Sequence, residues 1–94
     1  MAFRFEGLEI FHAAIDFSAG VYDAVKKFPL EERFDLASQA RRAANSIVLN
    51  IAEGSGRRTK KDFSHFLDTA LRSTFETVAC FLLPENSLTF PSAT

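Results

Sequence analysis

Two acid-to-histidine pairs, Glu9-x-x-His12 and Asp62-x-x-His65, and a glycine-spaced cationic loop, "EGSGRRTKK" from Glu53 to Lys61, are where residue type and spacing invite chemistry. A carboxylate and a histidine three residues apart share one helix face, the arrangement used by helical bundles that hold two metal ions. The faces argue against a metal here. Glu9 and His12 run with Asp16 and Asp23, and His65 runs with Asp68, Thr69 and Arg72, so both histidines follow polar stripes. A two-metal site needs carboxylates turned inward, whereas the inward faces carry Phe, Leu, Ile, Val and Ala. No serine, cysteine or histidine has the neighbours of a nucleophilic triad, and Cys80, in an apolar helix, reads as a core residue. The expectation is therefore no catalytic set, no metal and no cofactor.

The loop admits two readings. A Walker-type phosphate loop needs Gly-x-x-x-x-Gly-Lys-Ser/Thr after a strand, and "EGSGRR" has neither the spacing nor the strand. A left-handed helix cap accounts for Gly54 and a tight turn for Gly56. The charges are harder to dismiss. Lys60 and Lys61 stand in the first turn of a helix, where the dipole disfavours cations by ~0.3–1 kcal/mol each, and Glu53 stands in the last turn of the preceding one. An economical structural account makes Asn50, Glu53, Gly54 and Gly56 a latch, with Glu53 held by loop amides or Arg57 and Asn50 bonded to the same loop. The cations Arg57, Arg58, Lys60 and Lys61, with Arg41 and Arg42 on the solvent side of the second helix, are the candidate nucleic-acid-binding set. Their plain alternative is a solvated surface. A homo-oligomer would repeat the patch and sum its potential.

Three amphipathic helices position these groups. From Leu8, apolar and small residues recur at three and four through Phe11, Ala14, Ile15, Ser18, Val21, Tyr22 and Val25, predicting a helix over about 6–27. Pro29 stops it and can open the second helix, about 30–53, with Glu31 and Glu32 at the positive end of its dipole. That helix presents Leu36, Ala40, Ala43, Ala44, Ile47, Val48 and Ile51, its alanines permitting close approach, and Gly54 ends it. Thr59 to Asp62 form a capping-box pattern for the third helix, about 60–83, which continues through Phe63, Phe66, Leu67, Ala70, Leu71, Thr74, Val78, Phe81 and Leu82 and stops before Pro84. Residues 84–94, "PENSLTFPSAT", lack helical rhythm and read as an irregular tail. The fold class is all-α, an antiparallel up-down-up bundle. Ile10, Phe17, Leu49 and Phe75 fall off the main faces, so apolar surface is left over.

With 94 residues the chain is one domain at most, and 47% hydrophobic residues with eleven Phe argue for a packed unit rather than disorder. A net charge of −1 predicts no general affinity for polyanions. The single cysteine excludes an internal disulfide and fits a reducing compartment. Glu6, Glu9 and Asp16 interrupt any signal-peptide core, and the apolar run Val78–Leu83 is too short to span a bilayer, so a cytoplasmic location without membrane is expected.

The segments "FEGLEIFHAA", "FPLEERFDLASQARRAANSIVLNIAEGSGRRTKKDFSHFLDTAL" and "STFE" resemble a bacterial family: the four-helix-bundle proteins encoded by intervening sequences in 23S ribosomal RNA genes, related to the accessory protein of diversity-generating retroelements. "SIVLNIAEGSGR" is the most specific part, and the resemblance covers roughly residues 5–83. It implies four antiparallel helices, assembly into a homo-oligomeric ring, pentameric where described, no known enzymatic activity, and RNA, DNA or a protein as partner. Gln39, Arg42, Ser46, Asn50, Glu53, Gly54, Gly56, Arg57, Ser73 and Glu76 match the shared segments as scaffold and interface positions. Arg72 replaces a usual small residue, which implies looser packing there. The family's fourth helix, expected beyond Leu83, is missing or truncated in "PENSLTFPSAT", and the expectation is a truncated or frameshifted gene product.

Overall fold

The computed structural model describes residues 3–29, 31 and 35–86, and among them the only regular elements are helices. The first is α1, Glu9–Ala24, preceded by a 3-10 turn at Arg4–Gly7 and followed by another at Val25–Lys27. The expected span 6–27 is thus broken into three pieces. Leu8 is extended between the first two (φ −91°, ψ 127°), which interrupts the α-helical ladder. Next come α2, Asp35–Ser55, and α3, Lys60–Asn86. The expected start of the second helix at residue 30 and most of the tail, 87–94, lie outside the described residues.

Both later helices overrun their expected stops. Gly54 lies inside α2, and α3 passes through Pro84. Within a helix a proline forfeits the backbone bond to the carbonyl four residues before it.

The central helix, α2, packs on both α1 and α3. The core divides into two apolar clusters. Val21, Val25, Phe28, Leu36, Ala37, Ala40, Ala44 and Cys80 form one, capped by Phe81 at 5.0 Å from the Phe28 ring. Ala14, Ile47, Ile51 and Ala70 form the other, flanked by Leu8, Phe11, Val48 and Leu67. Between them lies a polar layer. On the α1 side, Ser18 donates to Asn45 Oδ1 at 2.9 Å and Asn45 Nδ2 donates to the Tyr22 hydroxyl at 2.8 Å. On the α3 side, Ser73 donates to Ser46 Oγ at 2.9 Å, and the buried Thr77 hydroxyl donates to the Ser73 carbonyl at 2.7 Å. Among the described residues no buried side-chain polar atom lacks a partner, so this layer fixes helix register without a desolvation penalty.

The face of α3 turned to α2 differs from the expected one. Ala70, Ser73, Thr77 and Cys80 are buried, whereas Leu71, Val78 and Leu82, expected in the core, are about half exposed. Arg72 is exposed and donates to Thr69 Oγ1 at 3.2 Å. An open apolar groove runs between α1 and α3, from Ile10 and Leu67 to Ala24 and Leu82.

Burial raises the Cys80 thiol pKa, with the nearby Glu76 carboxylate adding to the rise. A group whose folded pKa is raised favours the folded state below its unfolded pKa, about 8.5 for a thiol, and that contribution is lost as pH climbs above it. Denaturant midpoints measured from pH 7 to 10 should therefore fall more in the native sequence than in Cys80→Ala. A maleimide should label native Cys80 far more slowly than the unfolded chain.

Candidate nucleic-acid interface

The loop between α2 and α3 is short and tightly turned. Gly56 N–H donates to the Glu53 carbonyl at 3.2 Å and Arg57 N–H to the Gly54 carbonyl at 3.0 Å, so i+3 bonds close the end of α2. The Thr59 hydroxyl accepts the Asp62 N–H at 3.1 Å, capping α3. Only this half of the expected capping box forms; no bond from the Thr59 N–H to the Asp62 carboxylate is present among the described residues.

Neither loop glycine adopts a left-handed backbone, so the left-handed cap expected at Gly54 is absent. A different constraint acts there. A Cβ on Gly54 would sit 2.7 Å from Cβ of Phe66 and 2.9 Å from Cδ1 of Phe63, so the first turns of α3 press directly on this backbone. Gly56 is in the turn, where an added Cβ would meet the Glu53 carbonyl oxygen at 3.6 Å, an ordinary contact.

Glu53 is held by Arg57, whose Nη2 lies 2.9 Å from Oε2, and not by loop amides. Both groups are about half exposed, so the pair contributes little by itself. The Arg57 guanidinium also lies over the Phe66 ring, 4.7 Å from its centroid, which ties the end of α2 to α3. Asn50 does not reach the loop. Its amide turns back along α2 and donates to the Ser46 carbonyl at 2.8 Å and Ser46 Oγ at 3.0 Å, joining the Ser46–Ser73 contact. The expected latch is therefore Glu53 with Arg57 and a tight helix contact at Gly54, while Asn50 belongs to the α2–α3 seam.

A fifth cation joins this end. The Arg4 guanidinium donates to the Ser55 carbonyl at 3.3 Å and stands over Phe63, 5.7 Å from the ring centroid. It thereby caps the negative end of α2. Nothing in the sequence around Arg4 signals a contact 51 residues away. Arg58, Lys60 and Lys61 are exposed beside it. Glu6, Glu53 and Asp62 share this end and partly offset its charge.

Arg41 and Arg42 are separate from it. Gly54 is thirteen residues along the helix from Arg41, about 20 Å at the α-helical rise. Arg42 is exposed as expected, but Arg41 is half-buried, its guanidinium 5.8 Å from the centroid of the Tyr22 ring on α1. The six expected cations thus form two groups instead of one patch.

The acid-to-histidine pairs do not converge. His12 Nε2 bonds the Glu6 carbonyl at 2.6 Å, His65 is exposed, and among the described residues no three His, Cys, Asp or Glu side chains come together as a metal set. Among the same residues no helix is long and apolar enough to cross a membrane.

Comparison with curated proteins and with solved structures finds no match in either. A family model does match, over residues 6–90, which takes in all three helices, the cationic loop and the polar layer. On that match the chain belongs to the family of the 23S rRNA-intervening sequence protein, which is not known as a family of enzymes.

Proposed function

We propose that the protein is a non-enzymatic, self-associating helical bundle of the bacterial cytoplasm that binds RNA by its phosphate backbone, using the end of the molecule where α2 meets α3. The observation that carries this reading is the grouping of Arg4, Arg57, Arg58, Lys60 and Lys61 around one helix junction, two of them stacked on phenylalanine rings. Stacking holds those guanidinium groups in place, which lowers the entropy lost when a phosphate is bound. No geometry at this end resembles a base-reading surface, so the expected binding is sequence-independent. DNA is the alternative ligand of the same chemistry.

Fluorescence anisotropy with a labelled single-stranded RNA, repeated across salt concentrations, tests it. Each phosphate contact on a single strand contributes a slope of about −0.7 in log K against log salt. Replacing Arg57, Arg58, Lys60 and Lys61 together by Ala should weaken binding at least about 10-fold and flatten the slope by about 2–3. The Arg41→Ala, Arg42→Ala double variant, altered about 20 Å away, should change it much less. Binding that is absent, or indifferent to salt and to the loop variant, would overturn the RNA reading and leave a bundle whose charges serve only as a solvated surface.

A further inference from the structure

The 3-10 turn that delivers Arg4 to the cationic end also carries a column of aromatic rings. Phe3 and Phe5 lie parallel, with 7° between their planes and 5.4 Å between centroids, and Phe5 rests on Phe11 at 4.7 Å in a tilted contact. Phe11 flanks the cluster of Ala14, Ile47, Ile51 and Ala70, so the column starts at the core and ends on Phe3, which is 63% exposed. The turn beneath it is firmly tied. Phe3 N–H donates to Glu6 Oε1 at 2.6 Å, Glu6 N–H to the Phe3 carbonyl at 3.1 Å and Leu8 N–H to the Phe5 carbonyl at 3.0 Å, while His12 bonds the Glu6 carbonyl. Between the two stacked rings in sequence is Arg4, the residue that reaches Ser55 and Phe63 at the junction of α2 and α3.

We propose that the Phe3 ring is a stacking platform for an unpaired base, and that the ligand of the cationic end is single-stranded RNA rather than a duplex. Resting on the phosphate contacts proposed above, the platform names the form of RNA that they take. A base within a duplex has both faces covered by its neighbours, whereas an unpaired base can add itself to a ring stack as Phe3 adds itself to Phe5. Charge complements the platform. Arg4 is adjacent in the chain and leads to Arg57, Arg58, Lys60 and Lys61, so a strand with one base on Phe3 brings its phosphates to cations. Glu6, the one acid of the turn, is engaged by the Phe3 amide. Because the turn already fixes the ring, little freedom is lost when a base settles on it. Every base has a π-face, so the contact leaves binding sequence-independent.

The chain contains no tryptophan, so Phe3→Trp installs a single fluorescent reporter at the platform. Its emission should be quenched by a short single-stranded RNA and left unchanged by inorganic polyphosphate, which carries the charge without the bases. By anisotropy the native chain should bind the single strand more tightly than a long RNA duplex. Phe3→Ala should weaken single-strand binding about 5-fold or more without changing its salt slope, and should leave duplex binding unaltered. Phe3→Tyr, which keeps the ring, should bind like the native chain, and helical circular dichroism checks that each variant is folded. Unquenched emission at saturating RNA, a duplex bound as tightly as the single strand, or Phe3→Ala binding as well as the native chain would overturn the proposal. The two readings fail separately: salt-dependent RNA binding that the loop variant loses and Phe3→Ala retains removes the platform alone, and no RNA binding by the native chain removes both.

Discussion

Gly54→Ala should lower the thermal midpoint by about 10 °C, although alanine is the better helix former. In an open helical position the exchange stabilises by about 0.5–1 kcal/mol. At Gly54 the added methyl would sit 2.7 Å from Cβ of Phe66, an atom fixed to the α3 backbone that no rotamer change can move. Relief requires α3 to shift away from α2, and overpacking of this kind costs about 1–3 kcal/mol. For a domain of this size each kcal/mol is worth about 4–8 °C. Gly20→Ala supplies the comparison within the same protein: Gly20 is helical, nothing lies within 4 Å of its added Cβ, and the variant should melt a few degrees higher. Equal shifts in the two variants would show that helix propensity, and not the α2–α3 contact, governs Gly54.

Ile51→Ala should be the most damaging single truncation, at about 2–5 kcal/mol by denaturant titration. Ile51 is 1% exposed and sits in the cluster with Ala14, Ile47 and Ala70, where two of the three partners are alanines with no side chain to collapse into the space. Leu49, two residues earlier and 66% exposed, should cost no more than about 0.5 kcal/mol when cut to Ala. The contrast reads out which face of α2 is core. A small loss at Ile51 would mean that α1 and α3 close over the gap.

The helices and the loop were legible because their signals are local. The 3.6-residue recurrence through Phe11, Ala14, Ser18 and Val21, the buried alanines of α2, and Thr59 ahead of α3 each act within a turn or two of chain. Ile10, Phe17, Leu49 and Phe75 were also recognisable as surplus, and all four are exposed. The candidate site was legible only in part. Arg57 with Glu53 is an i,i+4 pair, close enough along the chain to be read from residue order, but Arg4 reaches Ser55 through the fold alone. Arg41 looked like a member of the basic set until the helix rise separated it from the loop and Tyr22 covered it.

By itself the sequence determined an all-α chain of amphipathic helices and its kinship with the 23S rRNA-intervening sequence proteins, since hydrophobic period, caps and shared segments are written in residue order. Only the tertiary structure decided which face of α3 is inside. Hydrophobicity favours Leu71, Val78 and Leu82, yet α2 offers alanines and Gly54, a surface so flat that the helix closes on it best with Ala70, Ser73, Thr77 and Cys80. Close backbone approach and the paired hydroxyls of Ser46 and Ser73 outweigh the burial of larger side chains on that face, and the larger residues are left pointing outward.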